Sequence, residues 1–389
     1  MIELIRYLEK IAMLTVLTPL KLMPTKKNRV IMNNSLSHNY ADNIKPIGEY
    51  LTKNYPGKFD IYLCVNDESK FEYLKEKGIT PIRFHSFKYY KTAMSSAFYI
   101  SNSGGYSYLP LKKNQYVINT WHGGGAYKKF GIDSFSADKF YRNDLKLSAK
   151  KTNMFISSSE RFTDVVSNAL LIPKDRFNPI GMPRNDILVN GDDGKRNEVR
   201  KKLGLKDDEK LVLYAPTFRR MNDDTFSSTI AINYGIDPET VCKALSTRFG
   251  GNWKFGVRLH PTVKDIDEFR NKDVLNLTVY DDMQELLLAS DCLITDFSSS
   301  MWDYILTGKP GFLFARDLKH YIETTAVYTP LNEWPFEKSE SNEELEKIIL
   351  EFNPEKYKEA CNKHYNDFKG CETGKATEII CKFLVDKIK

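Results

Sequence analysis

The sequence contains no CxxC pair and no cluster of cysteine and histidine at metal-ligand spacing, which sets aside a structural zinc site and dithiol redox chemistry. Its six cysteines (Cys64, Cys242, Cys292, Cys361, Cys371 and Cys381) are scattered, several within apolar runs such as IYLCV and DCLITD. Buried thiols in a reducing compartment are expected. No glycine-rich P-loop is present, so a Walker-type nucleotide site is not expected. There is no internal repeat and no low-complexity tract. Charge of one sign is only mildly in excess. The formal net charge is +6 over 389 residues, too little for a dedicated nucleic-acid binder but suited to an anionic membrane surface or a phosphate-rich substrate. No secretory signal stands out, so a cytoplasmic protein is expected. What is present is an ordinary soluble composition, 41% hydrophobic and 28% charged, with 22 Tyr and 23 Phe to fill the cores of two domains.

The sequence also lacks a membrane-spanning run. The uncharged stretch Ile11 to Leu20 is interrupted by Pro19 and falls well short of the roughly 20 apolar residues a span needs. Around it, Ile2, Ile5, Leu8, Ala12 and Val16 follow helical spacing, with Lys21, Lys26, Lys27 and Arg29 behind them. Two readings fit: an amphipathic helix lying on an anionic membrane, or a helix docked on the protein's own core.

From Asn28 onward, short apolar runs alternate with helical patterns. NRVIMNNS, FDIYLCVND, ITPIRF, FYISNS, QYVIN and NMFISSS read as strands. ADNIKPIGEYLTKNYP, with Asp42 or Asn43 as cap, KFEYLKEKG, SFKYYKTAMSSA and RFTDVVSNALLI read as helices. The polar NGDDGKRNEVRKKLGLKDDEK is the linker candidate. A second alternating series follows, with strands LVLYAPTF, WKFGVRLHP, LNLTVYD, DCLITD and PGFLFA, and the chain reads as helical from about residue 341. This pattern predicts an α/β protein of two Rossmann-like domains, their parallel sheets facing across a cleft, with C-terminal helices. The expected division is 1–27 for the amphipathic helix, 28–190 and 191–340 for the two domains, and 341–389 for the helical region.

Several segments carry chemistry. NTWHGGGAYKKFG follows the strand QYVIN and puts His122 at the strand's exit, where open α/β sheets build sites. Its consecutive glycines, Gly123 and Gly124 among them, suit close backbone approach to a ligand; a tight turn beside a packed Trp121 is the alternative. His38, in SLSHNYADN, also follows a strand. In VRLHP, Arg258 and His260 stand two apart, on one face if the strand continues, and a guanidinium with an imidazole suits a pyrophosphate. In DCLITDFSSSMWDYILTGKP a buried strand runs into Thr295, Asp296 and Ser298 to Ser300 at a helix start, a phosphate-binding arrangement or a simple N-cap. YAPTFRR adds Thr217, Arg219 and Arg220, while GMPRND reads as a structural turn ordering a hinge. His85, His320 and His364 have no such context.

Taken in order, TWHGGGAYKKFG, GMPRND, YAPTFR, RLHP and LITDFSSSMWDYILTGKP resemble the CDP-glycerol glycerophosphotransferase family, the teichoic acid primases and polymerases with relatives in capsule synthesis. The resemblance runs from about residue 28 to 385. It implies a GT-B-like fold, peripheral attachment at the cytoplasmic face of the membrane, a CDP-alditol donor, and transfer of glycerol phosphate to a hydroxyl of a lipid-linked glycan or polyol-phosphate acceptor. His122 matches the family's base. Arg258 and His260 match its donor-diphosphate pair, with His260 also on the catalytic side. Thr295, Asp296, Ser298, Ser299 and Ser300, with Thr217 and Arg219, fall on the donor; Gly123, Gly124 and His38 fall on the acceptor side. No cofactor and no metal site are implied, and a Mg²⁺ ion carried in by the diphosphate is compatible with this reading. Gly124 stands where family members carry threonine, which loosens the acceptor-side loop, and ETGKAT stands in place of the family's GNAS. The compact length fits a primase. A ribitol-phosphate transferase using CDP-ribitol, a sugar transferase of the same fold using a nucleotide sugar, and a non-catalytic membrane-surface protein are the competing expectations.

Overall fold

A computed structural model describes residues 2–34, 38–134, 137–217, 234–259, 269, 273–319, 321 and 326–389. The chain divides into two compact units, Met1–Val189 with Phe368–Lys389, and Asn190–Asp367. Both are parallel α/β domains of the class the alternating pattern predicts.

The first unit is built on β1 (Lys26–Asn33), β2 (Asp60–Val65), β3 (Ile79–Arg83), β4 (Ser96–Ser101), β5 (Tyr116–Asn119), β6 (Met154–Ser157) and β7 (Phe177–Pro179). Their order is β3-β2-β1-β4-β5-β6-β7, every pair parallel. The central strands are buried on both faces, which is why they read as continuous apolar runs rather than alternating ones. The order reverses between β1 and β4, so their C-terminal ends flank a topological switch point. The closing helix, Ala376–Ile388, packs Ile380, Cys381, Leu384 and Val385 into the same core as Val30, Met32, Ile44 and Leu51. The C-terminal helices are thus shared: the last belongs to the first unit, whereas Asn342–Leu350 and Pro354–Asp367 belong to the second.

The N-terminal helix, Ile2–Leu17, meets its own unit along one edge. Leu17 is buried with Ile31 and Tyr99, Met13 and Leu20 pack beside it, Tyr7 lies 5.9 Å from Phe140, and Lys10 pairs with Asp144. Ile5, Leu8, Ala12 and Val16 line the opposite edge in solvent, Val16 at 71% exposure. No helix among the described residues is long and apolar enough to cross a membrane.

Three local expectations are corrected. The KFEYLKEKG segment forms a 3₁₀-helix, Glu68–Leu74, not an α-helix. The linker candidate contains helix Asp193–Lys202, ordered because Arg196 and Arg200 both pair with Asp291 and donate to carbonyls at the end of helix Met283–Ala289. Asn43 does not cap helix Ile44–Asn54, because its amide, like the Asp42 carboxylate, is engaged elsewhere.

The second unit has β8 (Glu209–Tyr214), β9 (Asn252–Val257), β10 (Val274–Asn276), β11 (Cys292–Thr295), β12 (Gly311–Phe314) and β13 (Glu337–Ser339), in the order β10-β9-β8-β11-β12-β13 and parallel throughout. Its switch point lies between β8 and β11. His364, on helix Pro354–Asp367, is buried edge-on against Trp302 with Nδ1 2.9 Å from the Glu333 carbonyl, and burial pulls its pKa from 6.5 to about 4. The folded state therefore holds this ring neutral. Stability from it is fully present above pH 6.5 and is lost as pH falls toward about 4, a change on the order of 3 kcal/mol. Denaturant titrations at pH 7 and pH 4.5 are expected to show the loss, and His364→Gln is expected to flatten it.

Candidate functional site

In the first unit, β1 and β5 end in Asn33 and Asn119 and β4 is followed at once by Asn102, and these asparagines build the floor of a histidine site. Asn33 donates to the Tyr99 hydroxyl at 3.2 Å, and Asn119 donates to the Tyr106 hydroxyl at 3.3 Å while accepting from the Trp121 backbone N–H at 2.9 Å. Asn102, one residue past β4, donates to Asn34 Oδ1 at 2.7 Å and to Asp42 Oδ2 at 2.8 Å. The chain then turns sharply. Trp121 takes φ +55° and stacks on His122 with centroids 4.5 Å apart. Of the three glycines, Gly125 requires its identity: φ is +76°, and a Cβ there would stand 2.5 Å from the Tyr127 ring.

His122 Nδ1 lies 2.9 Å from the Asn102 carbonyl oxygen. A carbonyl only accepts, so Nδ1 carries the proton and Nε2 keeps its lone pair. Burial lowers the imidazole pKa below 6.5; the Asn102 bond and Asp42 oppose that, and Arg184 adds to it. The ring is therefore a neutral base at neutral pH, with one nitrogen committed to the protein.

Arg184 is what the sequence reading missed. Its Nη1 donates to the His122 carbonyl at 2.7 Å and meets Asp42 Oδ1 at 3.3 Å, while its backbone N–H donates to Asn43 Oδ1 at 3.1 Å. Asn43 Nδ2 in turn donates to the Trp121 carbonyl at 2.9 Å. GMPRND is thus a buttress of the histidine loop. ETGKAT holds that buttress: Glu372 accepts from Met182 N–H and Asn185 Nδ2, and Asp186 accepts from Ala376 and Thr377 N–H. The signal available in sequence was an asparagine at the exits of β1, β4 and β5; GMPRND and ETGKAT stood out as segments, but nothing in the chain tied Arg184 to Glu372, 188 positions away. His38 meets this network only through its backbone among the described residues, its N–H donating to the Asn34 carbonyl at 2.7 Å. It takes φ +49° and lies 4.3 Å from Phe84, and its imidazole is held below its ordinary pKa by burial and by His85.

In the second unit the switch point gathers the ends of β8, β9 and β11. Asp296 is buried and its Oδ1 accepts from Thr217 N–H at 2.7 Å and Phe297 N–H at 2.5 Å, joining the loops after β8 and β11. Thr295 donates to the Ala215 carbonyl at 2.7 Å, a second tie between the same strands. Helix Ser300–Ile305 begins one turn on; Ser298 Oγ accepts from Ser300 N–H at 3.2 Å, and Ser299 does not cap. Strand β9 ends at Val257, so Arg258 lies just past it, its N–H still donating to the Tyr214 carbonyl at the end of β8 at 2.9 Å. Its guanidinium is half-buried, Nη2 reaches the Tyr280 carbonyl at a long 3.4 Å, and Nε is buried with no hydrogen-bond acceptor among the described residues. Burial draws its pKa down while Asp282 and Asp281 hold it up. Arg219, Arg220 and His260 lie outside the described residues. Among the described residues no group of three or more histidine, cysteine or carboxylate side chains is placed to hold a metal ion.

Comparison with known proteins gives the family and the fold class. The profile of the CDP-Glycerol:Poly(glycerophosphate) glycerophosphotransferase family matches residues 16–386. The teichoic acid poly(glycerol phosphate) polymerase of Staphylococcus epidermidis is 29% identical over 94% of this chain, which spans 51% of that relative's length. The teichoic acid glycerol-phosphate transferase of Staphylococcus aureus is 25% identical, over 92% of this chain and 93% of its own. The solved structure of the wall teichoic acid polymerase TagF superposes with a TM-score of 0.83 at 26% identity, covering 99% of this chain and 97% of that one, and shares the two-domain GT-B-like fold class.

Proposed function

The chain belongs to the CDP-Glycerol:Poly(glycerophosphate) glycerophosphotransferase family, and from that premise we propose that it transfers glycerol phosphate from CDP-glycerol to a hydroxyl of a lipid-linked acceptor in teichoic acid synthesis, releasing CMP. The observation that carries this reading is the His122 ring, pinned through Nδ1 on the Asn102 carbonyl with Nε2 left basic. In the proposed step, Nε2 takes the proton of the acceptor hydroxyl. That oxygen forms a bond to the phosphorus bearing the glycerol, the bond from that phosphorus to the bridging oxygen breaks, and CMP leaves with the electron pair. The imidazolium then returns its proton to solvent.

On the donor side we assign Arg258 to the diphosphate, since a buried guanidinium N–H without an acceptor invites an anionic oxygen. His260 and Arg219 are assigned to the same donor from their motifs. Ser298, Ser299 and Ser300 supply hydroxyl and backbone donors, while Thr217, Thr295 and Asp296 frame the strand ends. Gly123, Gly124 and His38 are assigned to the acceptor side.

Attachment at the cytoplasmic face of the membrane is proposed through the exposed stripe of Ile5, Leu8, Ala12 and Val16 beside Lys21, Lys26 and Lys27. Changing Ile5, Leu8 and Val16 together to glutamate is expected to weaken sedimentation with anionic vesicles at least tenfold. The melting temperature should hold, because the core edge of the helix, Met13 and Leu17, is untouched. Vesicle binding unchanged by the triple variant would refute this attachment.

The test of the activity is incubation with CDP-glycerol and, separately, CDP-ribitol, each with a short lipid-linked acceptor, following CMP release and product mass. CMP from CDP-glycerol with a matching mass gain supports the reading. CMP from CDP-ribitol alone moves the assignment to ribitol phosphate, and CMP from neither with folded protein points to a nucleotide-sugar donor.

A further inference from the structure

The two restraints on His122 come from different parts of the chain and share one origin. The ring is held by the carbonyl of Asn102, at the exit of β4; the main chain is held by the guanidinium of Arg184, in the segment after β7. Asp42, just before helix Ile44–Asn54, reaches both restraints: its Oδ2 accepts from Asn102 Nδ2 at 2.8 Å and its Oδ1 meets Arg184 Nη1 at 3.3 Å. The same Oδ1 accepts from Asn43 N–H at 2.8 Å, and Asn43 holds the Trp121 carbonyl. Asp42 adopts φ +57°, a left-handed backbone that an aspartate tolerates better than most residues and that an isolated loop has little reason to keep.

We propose that Asp42 is a positioning residue for the base, one carboxylate that clamps both the ring acceptor and the main-chain anchor of His122 and so sets its tautomer, its direction and its basicity. The proposal rests on the assignment of His122 as base. Asn43, in the cap position of that helix, makes no side-chain cap bond, and Asp42 just before it turns its carboxylate onto Asn102 and Arg184. The charge matters as well as the shape. Among the described residues the charged groups acting on the ring are Asp42, which raises its proton affinity, and Arg184, which lowers it. Neutralising Asp42 leaves the cation unopposed.

Asp42→Asn decides this. The expected result is a fall in kcat of roughly a hundredfold, the scale set by a misplacement of about 1 Å, with CDP-glycerol affinity within twofold. The acid limb of the kcat/KM profile is expected to move to lower pH, because the group that raises the ring's affinity for its proton is gone. The ¹⁵N and ¹³C signals of the His122 ring, assigned by their loss in His122→Gln, are expected to leave a single Nδ1–H tautomer for a mixture. Asp42→Glu, which keeps the charge, is expected to recover the acid limb more than kcat. Should Asp42→Asn not fold, Asn102→Ala keeps the carbonyl and cuts the tie to Asp42, and the same ring signals are read. A ring that keeps its wild-type tautomer and titration in the folded variant, or donor affinity that falls as far as kcat, overturns the proposal. A fully active His122→Ala variant, with the ring of the protein that keeps His122 still responding to Asp42→Asn, would instead remove the base assignment and leave the clamp.

Discussion

Replacing His122 with alanine is expected to lower the rate of CMP release by roughly 10²–10⁴-fold while CDP-glycerol binding stays within a few-fold. The size follows from the geometry. The Asn102 carbonyl fixes Nδ1 as the protonated nitrogen, so Nε2 is available as a base without any reorganisation. Burial lowers the ring's pKa below 6.5, so the base is unprotonated at neutral pH. Activity in the wild type is therefore expected to fall as pH drops through a value below 6.5, and this acid limb is expected to vanish in the variant. The loop should survive the change, because what holds it are the Trp121 and His122 carbonyls, gripped by Asn43 and Arg184, and neither grip uses the ring. Stopped-time CMP release across pH, with calorimetric donor titration alongside, checks both halves. A variant with wild-type turnover would end the base assignment.

Arg258→Ala is expected to act the other way, weakening CDP-glycerol about 10- to 100-fold or more with a smaller effect on kcat at saturating donor. A hydrogen bond to a charged group contributes about 1.5–3 kcal/mol, and a guanidinium offers two to the same diphosphate. The protein itself uses little of this side chain: one long contact to the Tyr280 carbonyl, and an Nε with no acceptor among the described residues. Loss of that contact is expected to cost stability within about 1 kcal/mol. Arg258→Lys is not expected to restore affinity, because a point charge cannot reproduce the planar fork. Equal donor affinity in wild type and Arg258→Ala, read by calorimetry, would take the diphosphate away from this residue.

How much of this was legible in the sequence depends on the range of the interaction. Strand-like and helix-like runs are local periodicities, and the two alternating series predict two parallel sheets because apolar runs of that length must be buried on both faces. The motif residues at strand exits were legible for the same reason: His122, Arg258 and Asp296 each stand where a strand stops. Local reading failed where a side chain's partner is remote. Asp42 and Asn43 have the composition of a helix cap, and a cap is what short-range chemistry predicts; Asn102 and Arg184 draw them away. The polar 190–210 stretch has the composition of a linker, and Asp291 orders a helix there.

The sequence by itself therefore determined the fold class, the order of the strands along the chain, and the residue types offered at each strand end. Only the tertiary structure decided which nitrogen of His122 is free, because that depends on a carbonyl 20 residues earlier. It also decided that GMPRND and ETGKAT serve the histidine loop, because Glu372 and Asp186 bring segments about 190 positions apart into hydrogen-bond contact. Periodicity reports what each residue shares with its neighbours in the chain, and hydrogen bonds between distant segments leave no such trace.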